Sequence, residues 1–212
     1  MRDLLRTHKL DKYASSFSEQ MMLYEAAIKT LSANLEILDC EFHAKNDYNP
    51  IHHIESRLKT PRSIFNKLAK RELPVTMASI HDNLTDIAGI RVICNYIDDA
   101  YRIADLLLAN DDVTLLEKKD YIATPKPSGY RSLHLIVEVA VYLSRGVVRV
   151  PAEIQIRTIA MDYWATLEHR LKYKNEGKVP PDLHGKMKSC SEELAEMEVK
   201  MQQIQRETEN YS

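Results

Sequence analysis

The sequence predicts an α+β (α/β) domain, a mixed sheet of about five strands flanked by helices with long helices at both ends. Three observations point there. Apolar residues alternate with polar ones in five separate segments. Segments of helical period lie between those five. Apolar seams stepping by four and three run along residues 17–42 and 187–204.

The first seam, Phe17, Met21, Tyr24, Ile28, Leu31, Leu35, Leu38 and Phe42, predicts a long helix with one apolar stripe. "HIESRLK" (53–59) alternates as a strand, with Glu55, Arg57 and Lys59 on one face and Ile54 and Leu58 on the other. Thr60-Pro61 reads as an N-cap followed by the first helical position, opening "PRSIFNKLAKRE". "IAGIRVICNYI" is a strand and "DDAYRIADLLLAN" an amphipathic helix. "DVTLLEKKDYI", "SLHLIVEVAVYL" and "VVRVPAEIQIRT" are strands, the last with Pro151 marking an edge or a bulge near its start. "AMDYWATLEHRLKYK" is a helix, and "NEGKVPPD" (175–182) is a loop into the second seam, Met187, Cys190, Leu194, Met197, Met201 and Ile204. Both terminal helices need a surface to pack on, either the core or a second copy of the chain.

A net charge of −2 over 212 residues excludes a molecule that binds nucleic acid non-specifically through bulk charge. No apolar run reaches the ~20 residues of a membrane span, and the start lacks the apolar core of a signal peptide. Cys40, Cys94 and Cys190 are scattered and odd in number, so they read as reduced thiols in the cytosol.

Chemistry collects on the polar strand faces. Glu153, Gln155 and Arg157 oppose Ile154 and Ile156. His134 opposes Leu133 and Leu135, and Arg91 opposes Ile90 and Val92, with Asp86 just ahead of that strand. Exposed strand faces usually carry Thr, Lys and Ser, so this mixture of acids, arginines, Gln and His suggests a concave polar surface. Arg57 and Lys59 share a strand face. Ser63, Lys67, Lys70 and Arg71 share a helical face that starts at Thr60-Pro61. Cations beside a helix N-terminus suit a polyphosphate. Polyphosphate brings Mg²⁺, for which Asp86 and Glu153 are the candidate ligands, provided their strands are neighbours. The chain lacks GxxxxGK[ST] and GxGxxG, so side chains rather than a glycine loop would hold the nucleotide. In "TPKPSGYRSLH" (124–134), two prolines and a glycine stiffen a loop that presents Lys126 to a phosphate and Tyr130 to a base.

"RLKTPRSIFNKL", "DIAGIRVIC", "DYIATPKPSGYRSLHLIVE" and "AEIQIRTIAMDYWATLEH" strongly resemble the small alarmone synthetases, the stand-alone relatives of the synthetase domain in Rel/Spo-type enzymes. The TPKP loop and Asp162 look most like the RelP-type branch. The resemblance runs from about residue 45 to 175. It implies transfer of the β,γ-diphosphate of ATP to the ribose 3′-hydroxyl of GDP or GTP, giving AMP and ppGpp or pppGpp. It implies that Arg57, Lys59, Ser63, Lys67 and Arg91 hold the ATP phosphates. Asp86 and Glu153 would hold Mg²⁺, with Glu153 also the base. Tyr130 would stack on guanine, and Lys126, His134, Gln155, Arg157 and Asp162 would hold the rest of the acceptor. Lys119 stands where relatives often carry Arg, which removes a bidentate phosphate contact. The implied organisation is an N-terminal helix extension (1–50), a synthetase domain (51–175) and a C-terminal packing or oligomerisation helix (176–212). The implied assembly is a cytoplasmic homotetramer without membrane or DNA partners.

Two other classes fit the same residues less well: a nucleotide- or RNA-binding module that has lost catalysis, and a nucleotidyltransferase. His81-Asp82 reads as incidental. His52-His53 reads as two rings on opposite faces of a strand, which cannot share a metal. Trp164 reads as core packing and His169 as a satisfied histidine, neither as a ligand, and Cys94 reads as a buried apolar-face residue.

Overall fold

The computed structural model describes residues 2–45, 48–174 and 180–209. The elements run α1 (Arg2–Lys45), β1 (Ile51–Leu58), α2 (Pro61–Lys70), α3 (Met77–Asn83), β2 (Ala88–Cys94), α4 (Ile97–Leu108), β3 (Val113–Asp120), β4 (Leu133–Leu143), β5 (Gly146–Thr158), α5 (Ile159–Lys174) and α6 (Pro181–Glu209). The sheet order is β1-β2-β5-β4-β3. β2 and β5 pair in parallel and the other three pairings are antiparallel, so the sheet is mixed as expected. Most of the loop expected over 175–182, and the boundary expected at 175/176, lie outside the described residues.

The period-two pattern decides what faces what. Ile90, Val92, Leu133, Leu135, Ile154 and Ile156 turn to one side and are fully or almost fully buried. α1 and α4 lie against the sheet and cover that side. The α1 seam is used there: Tyr24, Leu31 and Leu35 have no exposed surface, and Phe17, Met21 and Leu38 pack on the same core. Seven turns of this helix therefore belong to the core, since burying a Leu stabilises by ~1.5–3 kcal/mol.

The second seam behaves differently. Met197, Met201 and Ile204 are 60 %, 47 % and 53 % exposed, and Cys190 is exposed too. The face that α6 buries carries Ser191 and Gln202 instead, and it docks on α4 and α5. Apolar periodicity marked a stripe on α6, but hydrogen bonds chose which stripe faces inward.

Local signals hold at α2. Thr60 caps the helix by accepting from the Ser63 amide, and Pro61 occupies the first turn. α3 was not expected. Its signal was a second Thr cap, Thr76, which accepts from the Ser79 amide. Pro151 sits on an interior strand, yet β2 pairs with β5 only from Glu153 onward. Pro151 therefore lies on the stretch of β5 bonded on one side alone, where a missing N–H costs no ladder bond. The expected edge is present locally, and the pairing with β4 runs through it without a bulge.

A register shift between Ile51 and His53 does bulge β1. It turns the rings of His52 and His53 toward each other, Nδ1 to Nδ1 at 2.7 Å, contrary to the alternation expected of a regular strand. Trp164 is buried with Nε1 donating to the Met187 carbonyl, and His169 is exposed and has an interaction partner, as a satisfied histidine should. His81 and Asp82 pair with each other on the surface of α3. Cys94 is fully buried, and burial pushes its thiol well above the usual range. No helix among the described residues is long and apolar enough to cross a membrane.

Candidate active site

The face of the sheet turned away from α1 and α4 carries the polar residues, and the register brings them together. Across β1, β2 and β5, Arg57 pairs with Gly89 and Gly89 with Glu153. One step on, Glu55 pairs with Arg91 and Arg91 with Gln155. Across β5 and β4, Gln155 pairs with His134. A cleft of about 660 Å³ opens over this floor, lined among others by Arg57, Lys59, Asp86, Arg91, Glu153 and Gln155. Having no side chain, Gly89 leaves room between Arg57 and Glu153.

At one end, Asp86 is gripped by two lysines. Lys59 Nζ lies 2.5 Å and Lys67 Nζ 2.7 Å from its Oδ2. Burial alone would raise the Asp86 carboxyl, but hydrogen bonds and charge from the two lysines outweigh it and hold it below its usual value. Its other oxygen, Oδ1, is buried without a hydrogen-bond partner. Ser63 is taken up by the α2 cap, donor and acceptor with Thr60, beside these lysines. Lys70 is exposed, and Arg71 donates to the Asn83 carbonyl, away from Asp86.

At the other end, five side chains close a hydrogen-bonded ring. Arg157 Nη2 donates to Tyr130 Oη (2.8 Å) and to Gln155 Oε1 (2.9 Å). Gln155 Nε2 donates to Glu153 Oε2 (3.0 Å). His134 Nδ1 lies 3.1 Å from Glu153 Oε1, and its Nε2 lies 2.8 Å from Tyr130 Oη. A carboxylate only accepts, so His134 donates to it from Nδ1. Arg157, Gln155 and His134 thus lead hydrogen-bond donors toward Glu153. Burial alone would raise the Glu153 carboxyl. Hydrogen bonds from His134 and Gln155 outweigh that and lower it, while the nearby Asp86 charge pushes back upward. The two acids, from the loop before β2 and from β5, thus feel each other across one cleft, each 19 % exposed.

Asp162, in the first turn of α5, receives Arg157 Nη1 at 2.8 Å and lies 3.5 Å from Arg91, which also reaches Glu55 at 3.2 Å. Arg91 therefore joins the two ends. Lys126 lies over the rings of Tyr121 (4.4 Å) and Tyr130 (4.8 Å). The two acids and the residues expected to hold the nucleotides lie on this face or its rim, while Lys70 and Arg71 of the expected basic helical face do not reach Asp86. Tyr121 and Glu55 were not among the candidates. Tyr121 packs edge-on against His134, ring centres 5.3 Å apart. Its signal was its place at the end of a strand, next to the stiffened loop. Lys119 pairs with Glu117 at 2.9 Å and stands opposite His134 in the β3–β4 register.

This is a cleft lined by cations and by two facing carboxylates, built on a five-stranded mixed sheet. Residues 56–178 match a family model described as a region found in RelA / SpoT proteins. GTP pyrophosphokinase YwaC of Bacillus subtilis is 40 % identical over 209 residues, 98 % of this chain and 100 % of that protein. Among solved structures, small alarmone synthetase 1 from Bacillus subtilis bound to its product pppGpp superposes with a TM-score of 0.84 at 33 % identity, covering 91 % of this chain and 98 % of that one. The same synthetase bound to AMPCPP superposes at 0.78 with 30 % identity, covering 92 % and 99 %. The chain belongs to the RelA/SpoT family, and its structural neighbours there are small alarmone synthetases.

Proposed function

We infer that the chain is a (p)ppGpp synthetase, transferring the β,γ-diphosphate of ATP to the 3′-hydroxyl of GDP or GTP, with AMP as by-product. The observation that carries this is the split cleft: a lysine-gripped acid at one end and an acceptor-only carboxylate ringed by His134, Tyr130, Gln155 and Arg157 at the other. The relatives named GTP pyrophosphokinase, and those bound to pppGpp and AMPCPP, support the same reading.

In this reading Arg57, Lys59, Lys67 and Arg91 clamp the ATP phosphates, and Ser63 meets them at the N-terminus of α2. Lys59 and Lys67 exchange Asp86 for phosphate oxygens as ATP enters. Mg²⁺ fits Asp86 and Glu153: Asp86 Oδ1 is an unpartnered buried oxygen, and a hard cation that keeps waters and phosphate ligands needs only one or two carboxylates. When bound it would supply neutralisation of the phosphate charge. Tyr130 stacks on guanine, Asp162 accepts from the base, and Lys126, Gln155 and Arg157 hold the ribose and phosphates of the acceptor. The 3′-oxygen bonds to the β-phosphorus, the α–β bridging bond breaks toward AMP, and the hydroxyl proton passes to Glu153. Because Glu153 is held ionised, it acts mainly by orienting the hydroxyl and takes the proton late. Positioning and charge neutralisation do most of the remaining catalysis in phosphoryl transfer.

The exposed apolar residues of α6, with Ile159, Tyr163 and Leu167 of α5, support an interface between copies of the chain; the family resemblance makes a homotetramer the working assembly, and the scattered, unpaired cysteines fit a cytoplasmic enzyme. A native mass measurement giving a monomer would remove that assembly. The function is tested by incubating the protein with ATP, Mg²⁺ and GDP. AMP together with ppGpp is expected; release of diphosphate would mean nucleotidyl transfer, and no turnover would mean a binding module.

A further inference from the structure

α6 lies behind the site, and its contacts with it fall on the acceptor side. Ser191, 5 % exposed, donates from Oγ to the Gly129 carbonyl at 2.5 Å. Gly129 has φ +90°, and a Cβ placed there would stand 2.8 Å from Ser191 Cβ, so the loop backbone lies flush on the helix. The next residue is Tyr130. Two turns further along α6, Glu198 accepts from Thr158 Oγ1, which itself accepts from the Met161 amide and so caps α5. Thr158 follows Arg157, and Met161 precedes Asp162. Trp164 adds a third tie through the Met187 carbonyl. On the opposite side of the cleft, Lys59 and Lys67 donate to Asp86 rather than to α6.

The loop's own hydrogen bonds, Gly129 N to Lys126 O (2.8 Å) and Lys126 N to Tyr130 O (3.1 Å), preserve its shape but not its placement. Ser191 and the tight fit at Gly129 supply the placement.

We propose that α6 sets the affinity for the acceptor nucleotide from behind, with Ser191 a positioning residue that holds the Lys126–Tyr130 loop ready for a guanosine polyphosphate. A loop already ordered loses less freedom on binding. Freed from α6, it must be ordered by the acceptor itself, and the cost falls on that substrate alone. The proposal rests on the acceptor reading of Tyr130 given above.

The test is steady-state kinetics on the full-length protein, varying GDP at saturating ATP and ATP at saturating GDP, for Ser191→Ala, Glu198→Leu and Tyr130→Ala. Losing one hydrogen bond to a buried carbonyl predicts that Ser191→Ala raises the KM for GDP about tenfold, with the KM for ATP and kcat unchanged. Glu198→Leu, which removes the Thr158 acceptor, gives the same selective rise by an independent contact. Equal losses on both substrates, or no change for GDP in either variant, overturns the proposal. If Tyr130→Ala raises the KM for GDP while the two α6 variants do not, the positioning role alone fails. If Tyr130→Ala leaves the KM for GDP unchanged, the acceptor reading itself fails.

Discussion

His134 on β4 and Glu153 on β5 meet at 3.1 Å, Nδ1 to Oε1, two residues out of direct register. The bond aims the carboxylate into the cleft and lowers its pKa against the opposing effect of burial. It follows that His134 controls the acid limb of activity. A carboxylate with a depressed pKa stays ionised until the pH falls below its usual range. His134→Ala leaves burial less opposed, so the Glu153 pKa rises and the acid limb of kcat/KM moves to higher pH. A pH–rate profile with an unmoved acid limb would remove His134 from this role.

Glu153→Gln retains the shape of the site but loses the charge and the acceptor-only character. A positioned base contributes typically ~10²–10⁴-fold, so AMP formation is expected to fall by at least that factor. Wild-type rates in this variant would contradict the role given to Glu153.

Asp86 pairs with both Lys59 and Lys67 when no phosphate is present. Asp86→Asn frees both lysines, so AMPCPP is expected to bind more tightly to the variant than to wild type in EDTA, while turnover with Mg²⁺ is lost. Calorimetry with and without Mg²⁺ separates the two effects. Removing Asp86 also leaves two partly buried cations unpaired. The stability cost is then expected between the ~1 kcal/mol of exposed pairs and the ~3–5 kcal/mol of buried ones. Since the folded carboxyl is depressed, the stability it contributes is present above the ordinary carboxylate range and is lost as pH falls through the folded value.

Leu31 has no exposed surface where α1 crosses the sheet. Leu31→Ala is expected to cost ~2–5 kcal/mol of unfolding free energy. Thermal or denaturant unfolding measures it, and a change below 1 kcal/mol would mean that α1 is an appendage rather than part of the core.

Much of this site was legible because strand alternation is local. The opposition of Glu153, Gln155 and Arg157 to Ile154 and Ile156 needs nothing beyond a period of two, and Thr60-Pro61 announces its helix directly. What the sequence could not supply is register. That Gly89 pairs with Glu153 in parallel depends on a crossover between distant segments, and that His134 falls beside Glu153 depends on the exact register of the long β4–β5 hairpin. The ring through Tyr130 and Arg157 follows from that register. The α6 seam left two partners open, the core or a second copy, and its period alone could not say that Ser191 and Gln202, bonded to Gly129 and Asp98, occupy the inward face. The bulge that joins His52 and His53 left no mark in composition.

The central physical claim is that Asp86 and Glu153 serve one metal-bound nucleotide. Mn²⁺ titration in the presence of AMPCPP, followed by electron paramagnetic resonance, tests it on wild type, Asp86→Asn and Glu153→Gln. The account predicts that each substitution alone weakens Mn²⁺ binding at the same site. Wild-type Mn²⁺ affinity in either variant would contradict it.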